Sequence, residues 1–470
     1  MMRFPKEKRD EIDAMILLEI LAGSLTIIRS LQTMKVKRGR NLFVSVFSAA
    51  LVLSLAGCTA GTNQAASSPA ASASASDSAY SLIDRVYSWG SDYSSVIVPV
   101  DFLDRKDHVD EDDYSVYVER YDQNGELLDE GNRVINAVYR SDGTGKNDDN
   151  GAYVTINMAV AATMSIASPY YTDPESFGKT LKSWAECNYT ITDKVTGSTW
   201  TELDQVYHPD EQKFKTDTFA GDVSVPYAYY EPEGDEKHPL VVWLHGAGSG
   251  GTDIGFVTGG MLVTNFVSDE VQDIFGGAYV LLPQSETVWM DDGSGSYTSD
   301  GTSRYTESLK GLLDKFIADH PGIDTDRIYI GGCSNGGFMT LKMAMEYPEM
   351  FAACFPVCEA YQDAWISDDE INTLKEIPTW FVHCASDPVV DISKTADATY
   401  QRLVKAGAED LHFTKYDEIK DPDFGNSYIG HFAWVYSLKN LCKTDYDGEP
   451  VEMDGKEVTL YEWLAAHTKK

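Results

Sequence analysis

The sequence predicts an α/β protein, a doubly wound and mostly parallel sheet preceded by a small all-β sandwich. Three observations lead to this reading. Beyond about residue 213, strand-like runs alternate with helix-like ones, the pattern of a parallel sheet covered by helices on both faces. Between residues 80 and 207 the runs are short, alternating and separated by turn signals, with no long helical period. A strand-like run at 328–330 enters Gly332-Cys333-Ser334-Asn335-Gly336, with a helix-like segment at 338–347 directly behind it. At 470 residues and 43% hydrophobic, the chain can bury one large core and a smaller second one.

Residues 1–57 read as an address rather than a fold. Lys35, Lys37, Arg38 and Arg40 precede a fourteen-residue apolar run at 42–55, which ends in Leu55-Ala56-Gly57-Cys58. A basic segment, a short apolar segment and a small-residue cleavage site make a secretory signal, and the run is short for a membrane span. Leu-Ala-Gly-Cys resembles the lipobox of bacterial lipoproteins, which implies that Cys58 is lipidated and becomes the first mature residue. The 33 residues before Met34 are odd ahead of a complete signal, so Met34 is the expected start. Residues 58–79 are nearly all Ala, Ser, Thr and Gly, a composition that cannot form a core and suits a flexible tether. The expected location is extracytoplasmic, with the lipid anchor as the one contact with the bacterial cell membrane.

The formal charge is −36, and residues 1–57 carry nine Lys/Arg against five Asp/Glu, so their removal takes the chain to about −40. Such a balance repels nucleic acid and other polyanions. Seven cysteines are scattered without metal-type spacing. Cys333, Cys358 and Cys384 fall near predicted strand ends, where a pair could approach, but buried reduced thiols are the expected state.

The sandwich is assigned to residues 80–210, with strands expected at 95–102, 114–122, 132–140, 152–161 and 187–192. Turn signals between them include Asn124-Gly125 and Thr196-Gly197, and the size is immunoglobulin-like. No catalytic constellation is visible in it. The acidic clusters at 110–113 and Asp148-Asp149 lack the spacing of a calcium loop and read as solvated turns. The region is expected to be a spacer or a wall beside the active-site mouth. Its Tyr and Trp leave carbohydrate binding open, although sandwich aromatics are mostly core.

Residues 211–470 form the second domain. Strands are expected at 240–244, 278–282, 328–330, 351–357, 379–383 and 411–416, and helices at 308–320, 338–347 and 395–406. Ligands of such sheets sit at the carboxyl ends of the strands. Gly-x-Ser-x-Gly between a strand and a helix is the context of a nucleophile elbow, where small neighbours let a serine hydroxyl stand clear of the sheet edge.

A serine hydroxyl attacks only when a base takes its proton, and the base needs a carboxylate to hold its tautomer. The chain order expected here is Ser, acid, His. After Ser334, the first acid at a strand end is Asp387, with Asp391 as the fallback. Of the later histidines, His412 lies within an alternating strand and His467 near the terminus, whereas His431 follows the last strand in a loop from which it can reach the serine. The oxyanion needs backbone donors. One is expected from Asn335 and the other from the glycine-rich loop after 240–244, at Ala247 or, as the near alternative, Gly246. His245 is expected to brace that loop.

Taken together, Val242-Trp243-Leu244-His245-Gly246-Ala247-Gly248, Leu282-Pro283-Gln284, residues 323–330, Phe351-Ala352-Ala353, Asp387-Pro388-Val389-Val390 and Gly430-His431 with Trp434 resemble the α/β-hydrolase esterases of the polyhydroxybutyrate depolymerase, feruloyl esterase and "predicted peptidase" group. The match covers residue 213 to the C-terminus. The resemblance implies an α/β-hydrolase fold, often with an N-terminal immunoglobulin-like domain, and a substrate pocket lined by Trp289 and Trp434 beside Gly246. Cys333, Asn335 and Cys384 depart from the group's usual residues, which puts the shape of the acyl pocket in doubt and not the triad.

The expected activity is cleavage of carboxylic esters, small or polymer-borne, through an acyl-enzyme, with no metal or organic cofactor. A serine peptidase of the same fold is the alternative, and a surface binding protein on a hydrolase scaffold is a third reading.

Overall fold

In the computed structural model, residues 78–101 and 109–469 are described. Cys58, Met34, the signal at 1–57 and all but the end of the tether lie outside them. Two domains follow, a β-sandwich and an α/β domain.

The sandwich packs a five-stranded sheet, in the order Glu202–Tyr207, Ala79–Tyr87, Gly90–Pro99, Tyr153–Met158, Ile135–Ser141, against a four-stranded one. The second sheet runs Thr199–Trp200, Glu186–Asp193, Tyr114–Tyr121, Leu127–Asn132. Strict alternation in Tyr114–Tyr121 sends Tyr114, Val116 and Val118 into the core, where they meet Leu82, Val96, Val98 and Ile156. The strand expected at 132–140 is divided in two. Buried Arg133 is the reason: its guanidinium donates to the Tyr189 hydroxyl at 2.8 Å and to the Ala159 carbonyl at 2.8 Å, so the chain crosses between sheets there. Strand Ala79–Tyr87 lies partly in the segment read as tether and was not expected, because Asp84 and Arg85 break its apolar pattern.

The α/β domain is built on eight strands: β1 (Lys215–Ala220), β2 (Ser224–Tyr230), β3 (His238–Leu244), β4 (Tyr279–Pro283), β5 (Ile323–Cys333), β6 (Ala353–Val357), β7 (Thr379–Cys384) and β8 (Leu411–Tyr416). Their order is β1-β2-β4-β3-β5-β6-β7-β8. The pairs β1/β2 and β2/β4 are antiparallel and every other pair is parallel. Every residue of β3, β6 and β7 is buried, as a sheet covered on both faces requires.

Alternate residues feed two cores. Leu240, Val242 and Leu244 face one layer and Val241 and Trp243 the other. The first layer holds α2 (Thr306–Asp319), α3 (Asn335–Glu346), α4 (Asp368–Leu374) and α5 (Ala396–Ala406), and the second holds α1 (Asp269–Phe275) and α6 (Leu460–Ala466). Capping boxes start α4 at Ser367/Glu370 and α6 at Thr459/Glu462.

The sandwich is docked on the α/β domain through specific contacts. Trp184 stacks on Phe256 with ring centroids 4.7 Å apart and donates its indole N–H to Asp253 at 2.7 Å. Ser88 donates to Asp421 at 2.6 Å. These contacts set one wall of the cleft described next.

Candidate active site

At the end of β5 the chain turns into α3 through Ser334, whose φ of 55° and ψ of −113° are costly for a residue with a side chain. The turn is held from three sides. Ser334 N–H donates to the Val357 carbonyl at 2.9 Å, and the Ser334 carbonyl accepts from Phe338 and Ala360. Small neighbours are obligatory: a Cβ on Gly336 would stand 2.0 Å from the Leu244 carbonyl oxygen, and one on Gly332 would stand 2.6 Å from it. Backbone of β3 thus presses directly on the turn and lifts the serine to the sheet edge.

Ser334 Oγ donates to His431 Nε2 at 3.0 Å, and His431 Nδ1 donates to Asp387 Oδ2 at 2.7 Å. His431 stands in the 3-10 turn Gly430–Ala433, after the last strand of the sheet, and Asp387 stands just past β7. The fallback Asp391 instead caps the turn Ile392–Lys394. His412 pairs with Asp445 at 2.8 Å and His467 with Asp410 at 2.7 Å, both away from the serine.

The Asp387 side chain is fully buried. Burial by itself would raise its pKa, but hydrogen bonds from His383 and His431, with the Val389 N–H, hold the carboxyl well below its ordinary range. His383 was not anticipated. It is the fifth residue of β7, fully buried, and its Nε2 donates to Asp387 Oδ2 at 3.0 Å. The spacing His-x-x-x-Asp across a strand end was the available signal.

On the opposite side lies the 3-10 turn Ala247–Ser249. His245 braces it: Nδ1–H donates to the Gly246 carbonyl at 2.7 Å, and Nε2 accepts from Ser285 N–H at 3.1 Å. Burial pulls the His245 pKa down to about 4, which keeps the ring neutral for this acceptor role. The Gly246 N–H faces the buried Cys333 sulfur. Ala247 and Asn335 both line the cavity with Ser334, and among the described residues no backbone acceptor is recorded for either amide.

These groups line a cavity of about 490 Å3. Trp434 is in its wall, its ring edge-on to His431 with centroids 5.4 Å apart, and Gly246 is in its floor. Trp289 is not. Its ring is fully buried against His245 and Tyr305, and it donates to the His245 carbonyl at 3.1 Å, so it supports the loop from below while Met290 takes the place on the wall. Cys333 meets Met261 sulfur to sulfur at 3.8 Å, and all six described cysteines are unpaired. Trp89, Thr180 and Lys182 close the cavity from the sandwich, which is therefore a wall of the cleft.

Residues 79–202 match the esterase Ig-like N-terminal domain, and residues 226–422 match the phospholipase/carboxylesterase family. The two matches give an immunoglobulin-like domain followed by an α/β-hydrolase domain. Both matches are to esterase families, the immunoglobulin-like one ahead of the hydrolase one. A solved thermostable esterase superposes with a TM-score of 0.64 at 23% identity, over 83% of this chain and 99% of that one, which shows the same fold. A segment of 50 residues is 44% identical to poly(3-hydroxyalkanoate) depolymerase C of Paucimonas lemoignei. It amounts to 11% of this chain and 12% of that protein's length.

Proposed function

We propose that this esterase is a serine hydrolase that cleaves carboxylic esters through an acyl-enzyme, and that it works outside the cell, anchored by a lipid on Cys58. The observation that carries the catalytic part is the unbroken line Ser334, His431, Asp387, with contacts of 3.0 and 2.7 Å and the serine on a strained elbow.

Each group then has a task. Ser334 Oγ attacks the ester carbonyl carbon while His431 Nε2 takes its proton. Asp387 keeps the Nδ1–H tautomer and stabilises the imidazolium that forms. Charge on the carbonyl oxygen falls to the amides of Ala247 and Asn335, which are fixed before substrate arrives and so need no reorganisation. His431 returns the proton to the departing alcohol, and a water repeats the cycle on the acyl group. The cleft suits aliphatic acyl groups, and the segment shared with a polyhydroxyalkanoate depolymerase favours esters of hydroxy acids among the first substrates to try.

The test is a panel of acetyl, butyryl, feruloyl and hydroxyalkanoate esters beside an aminoacyl amide. Ester turnover that is lost in Ser334→Ala supports the reading, and cleavage of the amide alone makes the protein a peptidase. Labelling of the intact precursor and of a Cys58→Ala variant with a radioactive fatty acid tests the anchor, since label on the variant would refute it.

A further inference from the structure

The sandwich contributes one cation to the cleft. Lys182 begins the strand Lys182–Trp184, which pairs with Tyr170–Thr172 in a hairpin beside the α/β domain. Its Nζ stands 3.9 Å from the centre of the Tyr170 ring and donates to the Gly260 carbonyl at 3.4 Å, a long bond. Its Cε would be 3.9 Å from a Cβ on Gly248, so the side chain passes over the turn that carries the Ala247 amide.

Lys182 has no ion-pair partner among the described residues, and it is the one Lys, Arg, Asp or Glu lining the cavity. The rest of the lining is aromatic, aliphatic or small, apart from the serine, histidine and a few neutral polar groups. An ammonium has three donors, and here one makes a weak bond while the ring face serves the charge only in part. Unpaired charge in such surroundings costs free energy unless something compensates it. The side chain is part-buried, and that burial, offset only in part by Asp92, draws the Lys182 pKa down to about 8.

We propose that Lys182 is the anion subsite of this cleft and that the substrate is an ester carrying a second, free carboxylate. The inference rests on the esterase reading and names the class of ester. One ammonium with no guanidinium beside it matches a monoanion rather than a phosphate dianion. At a chain charge of −36, long-range attraction cannot gather such a substrate, so the recognition has to be local, as a single charge inside the cleft would make it. The carboxylate can belong to the acyl part, as in a dicarboxylic half-ester, or to the alcohol part, as in the free end of a hydroxy-acid oligoester.

Two substrate pairs separate these sources: mono-4-nitrophenyl succinate against 4-nitrophenyl butyrate, and 3-acetoxybutyrate against sec-butyl acetate. For the full chain and its Lys182→Met and Lys182→Arg variants, the readout is the ratio of kcat/KM for the charged ester to that for its neutral counterpart. Both members are read on one preparation, so partial misfolding cancels. We expect the ratio to fall about tenfold or more in Lys182→Met for one pair and to be largely kept in Lys182→Arg. The pair that responds tells which side of the ester bears the carboxylate. An unchanged ratio in both pairs overturns the subsite and leaves Lys182 a strut between Gly260 and Tyr170. Turnover of the neutral esters alone also overturns it, without touching the esterase reading, whereas no turnover of any of the four removes both.

Discussion

His383 and His431 share one acceptor: both donate to Oδ2 of Asp387, at 3.0 and 2.7 Å, while Oδ1 accepts from the backbone of Val389 and Val390. The carboxylate is thus fixed by four donors, and only one of them is the proposed base. His383→Leu should lower kcat about tenfold on a short-chain 4-nitrophenyl ester with little change in KM, because Asp387 loses a charge-assisted bond and no substrate contact. His383→Gln, whose amide can donate to the same oxygen, should recover most of that loss. Equal activity in all three proteins would mean that the backbone donors suffice.

Gly336 illustrates how little room the elbow has. Gly336→Ala would place a methyl group against the Leu244 carbonyl, so the β3/β5 spacing or the Ser334 turn must shift. The expected cost is about 3 kcal/mol or more in stability, read as a drop in the urea midpoint, together with loss of ester turnover.

Much of this arrangement was legible in the sequence because it is local. Ser334, Asp387 and His431 each follow a strand, and the loop position of His431 after the last strand separates it from His412 within a strand and His467 near the terminus. What stayed hidden depends on contacts between distant segments. Lys182 and Trp89 reach the cleft only because the sandwich docks through Trp184, Phe256, Ser88 and Asp421, and no local pattern announces that. Trp289 was expected in the pocket, but an indole can serve a core equally well, and its hydrogen bond to the His245 carbonyl decides the matter. Helices α4 and α6 are too short to show a helical period, although Ser367-x-x-Glu370 and Thr459-x-x-Glu462 carry the capping signature. β1 lies at the sheet edge with only Phe219 part-buried, and β2 is interrupted by Pro226, so neither carries the apolar signal of an interior strand.

Glu359 follows β6 and is fully buried, with Oε2 accepting from Tyr361 N–H at 2.6 Å. Burial raises its pKa well above 4.5. The folded state therefore keeps a proton that the unfolded chain releases, and stability falls as pH rises above about 4.5. Glu359→Gln keeps the acceptor and removes the linkage. Its melting temperature should exceed that of the unsubstituted protein by about 2 °C or more near pH 8 and converge with it near pH 4.5. A constant offset across that range would contradict the assignment.

Trp89 projects from the sandwich into the cleft, stacked on Tyr87 at 4.8 Å and 5.5 Å from Phe424. Trp89→Ala should raise KM for a bulky acyl ester several-fold more than for an acetyl ester, since only the longer acyl group reaches that wall. A uniform change across acyl lengths would place the indole outside the acyl path.

All of the proposed chemistry depends on Ser334 as the nucleophile. A fluorophosphonate probe forms a covalent adduct only with an activated hydroxyl, so peptide mass spectrometry after labelling reads it directly. Near-stoichiometric adduct is expected on the peptide containing Ser334, and none in Ser334→Ala or His431→Ala. An unlabelled protein that still turns over esters, or an adduct on another serine, would contradict it.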